Sequence, residues 1–317
     1  MATTTNITTT YAGERKGAFI SAALLGANTI RNGGVIVKPN IKYKEVVKRL
    51  ETTSLMADAT CDYTPTETLT ITERILEPKE LQINKTLCKK DFRSDWDAIS
   101  MGYSVHDNLP KSFADYLMSY VVAKAAAATE VSLWSGAAGT GGEFNGFETL
   151  MALDANLPAA QEVTGTTVTS SNVAAELRKI TAQIPAALYG AEDLFIYVSP
   201  NIHKAYVQHL GGFGASGLGA AGTDDKGSQW FNGSALSIDG VKIFVANGMT
   251  ADTAIATVKD NLWFGTGLMS DQNEVKLIDT SATLGDQNVR VVMRFTAGVQ
   301  YGVIEDVVTY GITNAAN

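Results

Sequence analysis

The stretch SFADYLMSYVVAKAAAATEVSLWSG, residues 112–136, contains a helix start, a helix body and a helix stop in one continuous segment. Its first four residues resemble a capping box with Asp115 in place of the usual Glu. The alanine run that follows favours helix, and Gly136 is a typical stop. The stretch predicts a helix over residues 112–135, roughly 36 Å long at 1.5 Å per residue. Seven apolar side chains at helical spacing form its predicted buried face: Phe113, Leu117, Tyr120, Val121, Ala128, Val131 and Trp134.

The chain downstream of this helix alternates between helix and strand signals. A second helix is predicted over residues 172–188, with Asn172 as its cap and Gly190 as its end, and Pro185 should either kink it or shorten its last turn. Leu194 to Val198 has the length of a buried strand, and a short helix over residues 201–210 follows it. The Gly- and Ser-rich residues 211–235 predict a long loop.

The last third of the chain is rich in predicted strands separated by turn signals. The candidate strands are Val241 to Ala246, Asn261 to Gly265, Glu274 to Asp279, Val289 to Thr296 and Val299 to Tyr310. Helical and β-rich sections therefore follow one another in a chain of 317 residues, a length typical of two domains or one elaborate domain.

The chain upstream of the long helix begins with a polar tail and continues into a β-rich section with little apolar material to bury. Residues 1–12 show no periodicity and predict a flexible tail. Residues 41–92 are mostly β, with clean alternation at 68–72 and 80–84, and form a hairpin candidate. A hairpin without a core is marginal alone. It must fold back on its own domain or pack against another chain.

The charge distribution limits the partners of this chain. The net charge of −8 combines residues 1–50, with eight basic and two acidic side chains, and the remainder, with 17 basic and 31 acidic ones. An acidic body is a poor binder of nucleic acid because phosphate contacts dominate that affinity. The basic stretch fits contact either with DNA or with an acidic neighbouring subunit. No signal peptide or membrane-spanning window is present, so we expect the chain to be intracellular when made, with no membrane partner.

The sequence contains no pattern of a catalytic, cofactor or metal site. Gly212 to Gly217 matches G-x-G-x-x-G but follows a predicted helix, where a dinucleotide motif would follow a strand. The three histidines do not have the spacing of metal ligands. They are His106, His203 and His209. Cys61 and Cys88 are interpreted as inert thiols, and Glu305-Asp306 as a solvated face or half of an ion site between subunits. The sequence therefore predicts a protein that is not an enzyme.

Three segments in this order resemble the HK97-like major capsid proteins of tailed phages. The helix end and its turn match from Leu133 to Gly141, with Phe144-Asn145-Gly146-Phe147 after them. Residues 195–201 resemble the family's strand-to-helix step, and residues 289–295 its late central strand. The resemblance implies an α+β fold of the HK97 type. Substituting Gly141 or Gly146 by Val is expected to harm folding if either glycine needs a positive φ.

The resemblance also implies a division of the chain into four parts. These are an N-terminal arm at 1–40, an E-loop at 50–85, an A-domain at 156–290, and a P-domain at 41–49, 86–155 and 291–317 with its spine helix at 112–135.

The function implied by this resemblance is structural. Such subunits form hexamers and pentamers that close into an icosahedral shell around double-stranded DNA, which they enclose without sequence-specific binding. The expected partners are further copies of the chain, a separate scaffolding protein, a portal and decoration proteins. The expected location is the virion, after synthesis in the host cytoplasm. Two alternatives stay open: an encapsulin-type nanocompartment shell and a tail-associated, surface-binding β protein.

Overall fold

A computed structural model describes residues 28–51, 56, 58, 61, 70–88, 111–139, 144–210, 236–267, 275–280, 285, 286 and 288–315. The predicted N-terminal tail, the loop at 211–235 with its G-x-G-x-x-G motif, His106 and Gly141 lie outside these residues.

The described residues contain the predicted helices and strands in the expected order, together with short elements that were not predicted. The helices are α1 (Asn28–Arg31), α2 (Lys111–Ser135), α3 (Phe147–Ala152), α4 (Val173–Gln183) and α5 (Pro200–Leu210). The strands are β1 (Ile36–Lys38), β2 (Glu45–Glu51), β3 (Thr70–Leu76), β4 (Lys79–Cys88), β5 (Glu162–Val163), β6 (Leu194–Val198), β7 (Ser237–Ile238), β8 (Val241–Val245), β9 (Ala254–Val258), β10 (Leu262–Thr266), β11 (Val275–Asp279), β12 (Asn288–Tyr301) and β13 (Val308–Tyr310).

The first sheet has five strands around the long strand β12. Its order is β1-β10-β12-β11, and β4 pairs along the opposite edge of β12. Alternate residues of β12 point to one face, where Val289, Val291 and Met293 pack against Val121 and Ala125 of α2. The long helix therefore covers one face of this sheet.

The second sheet has six strands in the order β5-β13-β9-β6-β8-β7. Helices α4 and α5 pack on one of its faces through a buried apolar cluster that includes Leu177, Ile180, Ile196 and Ile202. The adjacent strands β6 and β8 are parallel, whereas β6 and β9 are antiparallel. The mixture of sheets and packed helices confirms the α+β class.

The C-terminal end of α2 lies in the main core, which joins the two sheets. Trp134 is fully buried, with its ring centroid 5.3 Å from that of Phe147 and 5.2 Å from that of Tyr197. Phe264 and Tyr301 of the first sheet belong to the same cluster. The helix therefore connects the two halves of the molecule.

The turn after α2 depends on close backbone contact. Gly146 has φ −76° and ψ 175°, so the positive φ considered for it is wrong. A Cβ atom at Gly146 would lie 2.4 Å from the Trp134 carbonyl oxygen, which is closer than carbon and oxygen can approach. Glycine is required here because the chain passes directly over the helix end.

Several boundaries differ from the sequence predictions. Helix α2 begins at Lys111, so Ser112 lies inside it and is not its cap. Helix α4 ends at Gln183, five residues before the predicted end at 188, because Pro185 cannot continue it. The two strands expected at 289–296 and 299–310 are one strand, β12, followed by the short β13.

The two strands of the hairpin are not the two segments that show the clearest alternation in the sequence. Strand β3 pairs antiparallel with β2, and β4 leaves the hairpin to pair with β12. The described part of the first alternating segment, from residue 70, and the whole of the second are strands, as predicted, but they belong to two separate sheets.

Candidate subunit interface

The β2–β3 hairpin has two faces of different chemistry. Residues directly opposite one another share a face. The pairs Val47–Arg74 and Arg49–Thr72 are on the face toward the body of the molecule, because Arg49 and Arg74 both bond to it. The pair Val46–Ile75 is on the outer face.

The inner face is fixed by a charged contact at Arg74. The Arg74 Nη2 atom donates to Asp154 Oδ2 over 2.5 Å, and the guanidinium lies 4.8 Å from the Tyr301 ring centroid. The Tyr301 hydroxyl donates to the same carboxylate oxygen over 2.6 Å. Burial raises the pKa of Asp154, but hydrogen bonds from Tyr301, Asn156 and Arg74 outweigh it, so that its pKa lies below its usual range.

A second ion pair holds the hairpin on the same side. Arg49 Nη1 donates to Glu305 Oε2 over 2.8 Å, and Leu76 at the hairpin base is fully buried. Glu305 is still partly exposed while it bonds to Arg49, and burial raises the pKa of the neighbouring Asp306 carboxyl. A cavity of about 310 Å³ lies between these residues and the hairpin. The hairpin is thus supported by a few charged contacts rather than by a packed core.

The outer face of the hairpin is exposed, and it combines apolar side chains with one oppositely charged pair, Lys48–Glu73. Ile71, Ile75 and Val46 are 65%, 42% and 45% exposed, and Tyr43 just before β2 is 72% exposed. Large exposed apolar side chains in one place mark an interaction surface more often than isolated ones do. Within the described chain, nothing covers this face.

A buried carboxylate fixes the segment that follows the predicted arm. Glu130 of α2 accepts hydrogen bonds from the Thr29 amide, at 3.1 and 3.2 Å from its two oxygens, and from the Thr29 hydroxyl. Trp134 Nε1 donates to the same hydroxyl oxygen over 2.7 Å. Burial raises the pKa of Glu130, although the bonds from Thr29 oppose the shift. Residues 28–31 are therefore tied to the long helix.

Glu130→Gln should change the pH dependence of stability. Because the folded-state pKa of Glu130 is raised, its contribution is fully present at low pH and is lost as pH rises through that pKa. The neutral amide keeps an acceptor for Thr29, so the variant should gain stability relative to the wild type as the pH rises from the usual range of a glutamate pKa to the raised pKa of Glu130. Urea unfolding over this range measures the difference. Parallel stability curves for the two proteins would contradict the assignment.

The control variant Glu130→Leu removes the acceptor altogether. It should lose about 1–3 kcal/mol at every pH because the buried Thr29 amide then lacks a partner.

The reactive side chains considered in the sequence are dispersed. His203 and His209 lie on α5, and burial lowers the pKa of His203. His209 Nδ1 lies 2.9 Å from the Ser170 carbonyl oxygen. Cys61 is exposed and Cys88 is partly buried, and both are free thiols. In the described ranges, no three His, Cys, Asp or Glu side chains come together as a metal site, and no helix is long and apolar enough to cross a membrane.

Comparison with known proteins relates this geometry to a structural class. No family model matches the chain, and no curated protein matches its sequence. The capsid of a native GTA particle matches with a TM-score of 0.57 and 14% identity, over 91% of this chain and 90% of that one. A chain of the satellite phage P4 procapsid, which includes the size determination (Sid) protein, matches with a TM-score of 0.54 and 11% identity, over 94% and 99%. The capsid of cyanophage P-SCSP1u matches with a TM-score of 0.53 and 13% identity, over 87% and 86%.

These matches extend over nearly the whole chain, so they concern the complete architecture and not one motif. The chain has the HK97-like capsid fold that the residues around the long helix predict. At 11–14% identity the likeness establishes the fold alone.

Proposed function

We propose that this chain is a major capsid protein that assembles into hexamers and pentamers and closes an icosahedral shell around double-stranded DNA. The observation that carries the proposal is the β2–β3 hairpin. Its outer face exposes Val46, Ile71 and Ile75, and charged contacts hold it against the body. Exposed apolar side chains grouped in this way mark an interaction surface, and the fold is that of proteins that build capsids.

The four-part division of the chain remains part of this proposal, with an arm, an E-loop, a P-domain and an A-domain. The strand pairing favours a refinement of its boundaries. Strands β10 and β11 pair with β12 in the sheet under the long helix, which favours their inclusion in the P-domain. Strand β13 pairs with β9 in the second sheet, which favours its inclusion in the A-domain.

The partners in this proposal follow from the same role. The shell interacts with further copies of the chain, a separate scaffolding protein, a portal and decoration proteins, and it encloses DNA without reading its sequence. Its location is the virion, after synthesis in the host cytoplasm. The role is structural and requires no catalytic residue, metal or cofactor.

Removal of residues 1–27 tests the proposed arm. We expect the shortened subunit to keep the wild-type free energy of unfolding, because the Thr29–Glu130 contact remains. Its yield of closed shells should fall at least tenfold. Sedimentation velocity measures the assembled fraction, and urea unfolding measures the stability.

Deletion of residues 1–30 provides the matched comparison. This variant also removes Thr29, so it should lose about 1–3 kcal/mol of stability in addition to assembly. Normal shells from the shorter deletion would refute the role of the arm.

A further inference from the structure

A cleft separates the inner face of the β2–β3 hairpin from the body of the molecule. Its volume is about 310 Å³. Val47 lines it from the hairpin, and Val258, Trp263 and Val303 line it from the body. An apolar cavity of about 150 Å³ is enough to hold benzene. The cleft therefore has room for one aromatic ring with a short side arm.

Two residues that line the cleft have carboxylates without a partner in the described chain. They are Asp260 and Asp306. Among the described residues, neither of these side chains forms a hydrogen bond or an ion pair. Asp306 is only partly exposed, and the loss of solvent on burial raises its pKa. A positively charged hydrogen-bond donor would stabilise a carboxylate in this position.

Most basic side chains around the cleft are already paired with acids. The Arg49 guanidinium attracts the Asp306 carboxylate, but burial affects the pKa of Asp306 more strongly. Three cations on or beside the lining form ion pairs with other carboxylates: Lys38 with Glu45 at 2.7 Å, Arg49 with Glu305 at 2.8 Å, and Arg74 with Asp154 at 2.5 Å.

Lys48 is the remaining basic residue of the lining. It alternates with Val47 and Arg49 along β2, so its side chain is on the outer face of the hairpin, opposite Glu73. An anion in the cleft would therefore meet two unpaired carboxylates, whereas a cation would neutralise one of them. The charge around the cleft favours a positively charged ligand.

We propose that this cleft binds a small amphiphilic amine, with its apolar group between Val47 and Trp263 and its ammonium group on Asp306. Apolar walls with a few polar groups are the usual composition of a small-molecule site. All of the lining residues belong to one chain, so the inference does not depend on the shell-forming role.

Calorimetric titration of the purified 317-residue chain with 2-phenylethylammonium chloride tests the site. We expect a Kd of about 0.1–1 mM, which is reasonable for a ligand with so few atoms. Phenylacetate has the same ring and the opposite charge, and it should not bind measurably, because the two unpaired carboxylates repel it.

Asp306→Asn should weaken binding of the amine at least about tenfold, because a charged hydrogen bond is lost. This variant should remain folded, since an amide replaces an unpaired and partly buried carboxylate. Glu80→Gln makes the same change at an exposed position of β4 outside the lining, and it should bind like the wild type. Val47→Phe should fill the cleft and abolish binding.

The site is overturned if Asp306→Asn binds the amine as tightly as Glu80→Gln does. Binding by a folded Val47→Phe variant at the wild-type affinity would also overturn it. If Val47→Phe unfolds, the comparison of Asp306→Asn with Glu80→Gln still decides. Lack of saturable binding by the wild type would contradict the site, and tighter binding of phenylacetate than of the amine would contradict its preference for a cation.

Discussion

Gly248→Ala should destabilise the subunit by about 3 kcal/mol or more, at the upper end of overpacking effects. Gly248 lies in the turn after β8, and a Cβ atom there would be 2.0 Å from the Glu130 carbonyl oxygen and 2.9 Å from Val131 Cα. Both contacts are with the backbone of the long helix, which cannot rotate away as a side chain can. The turn must therefore move off the helix and disturb the core that joins the two sheets. Urea unfolding measures the loss.

The neighbouring residue provides a control in the same turn. Asn247 is exposed, so Asn247→Ala should change the free energy of unfolding by no more than about 0.5 kcal/mol. Gly146→Val should resemble Gly248→Ala, because its Cβ atom would be 2.4 Å from the Trp134 carbonyl oxygen. Wild-type stability of Gly248→Ala would show that the second sheet is not pressed against the helix as described.

Ile71→Asp/Ile75→Asp should nearly abolish assembly and leave the subunit folded. Both side chains are on the outer face of the hairpin and are largely exposed, so their loss has little effect within one chain. In the shell they would be covered, and burial of each is worth about 1.5–3 kcal/mol. Two buried carboxylates in their place should lower the assembly constant at least about 100-fold. Light scattering during assembly measures this change.

A matched control uses exposed apolar residues outside the hairpin. Leu153 and Tyr189 are 59% and 50% exposed, so Leu153→Asp/Tyr189→Asp makes the same kind of change elsewhere on the surface. We expect this control to assemble. An equal defect in both variants would show that added charge, and not the hairpin, prevents assembly.

The long helix was predictable because its signals are local. The alanine run, the stop at Gly136 and the proline in α4 act within a few residues, and the structure has these elements close to the expected places. The buried face of α2 was only partly predictable. Val121 and Trp134 are buried as expected, whereas Ala128 and Val131 are exposed.

The wrong predictions for the buried face of α2 have a cause that is distant in sequence. Thr129 and Glu130 are buried where apolar residues were expected. Glu130 is tolerated because Thr29, about a hundred residues away in sequence, supplies its donors. A helical pattern of apolar residues cannot reveal such a partner.

Strand pairing was the other feature that could not be predicted from the sequence. Strand β9 was missed although it is almost completely buried at the centre of the second sheet, because a short apolar run has no distinctive periodicity. The contacts that support the hairpin were also missed. Arg49 and Arg74 lie on a marginal hairpin, but their acidic partners Glu305 and Asp154 are distant in sequence.

Electron microscopy of the purified 317-residue chain under assembly conditions distinguishes a shell subunit from a monomeric protein. We expect uniform closed shells with icosahedral symmetry, built from hexamers and pentamers of this chain, in which each hairpin contacts a neighbouring copy. Discrete monomers under all conditions, at concentrations where the protein is folded, would contradict it.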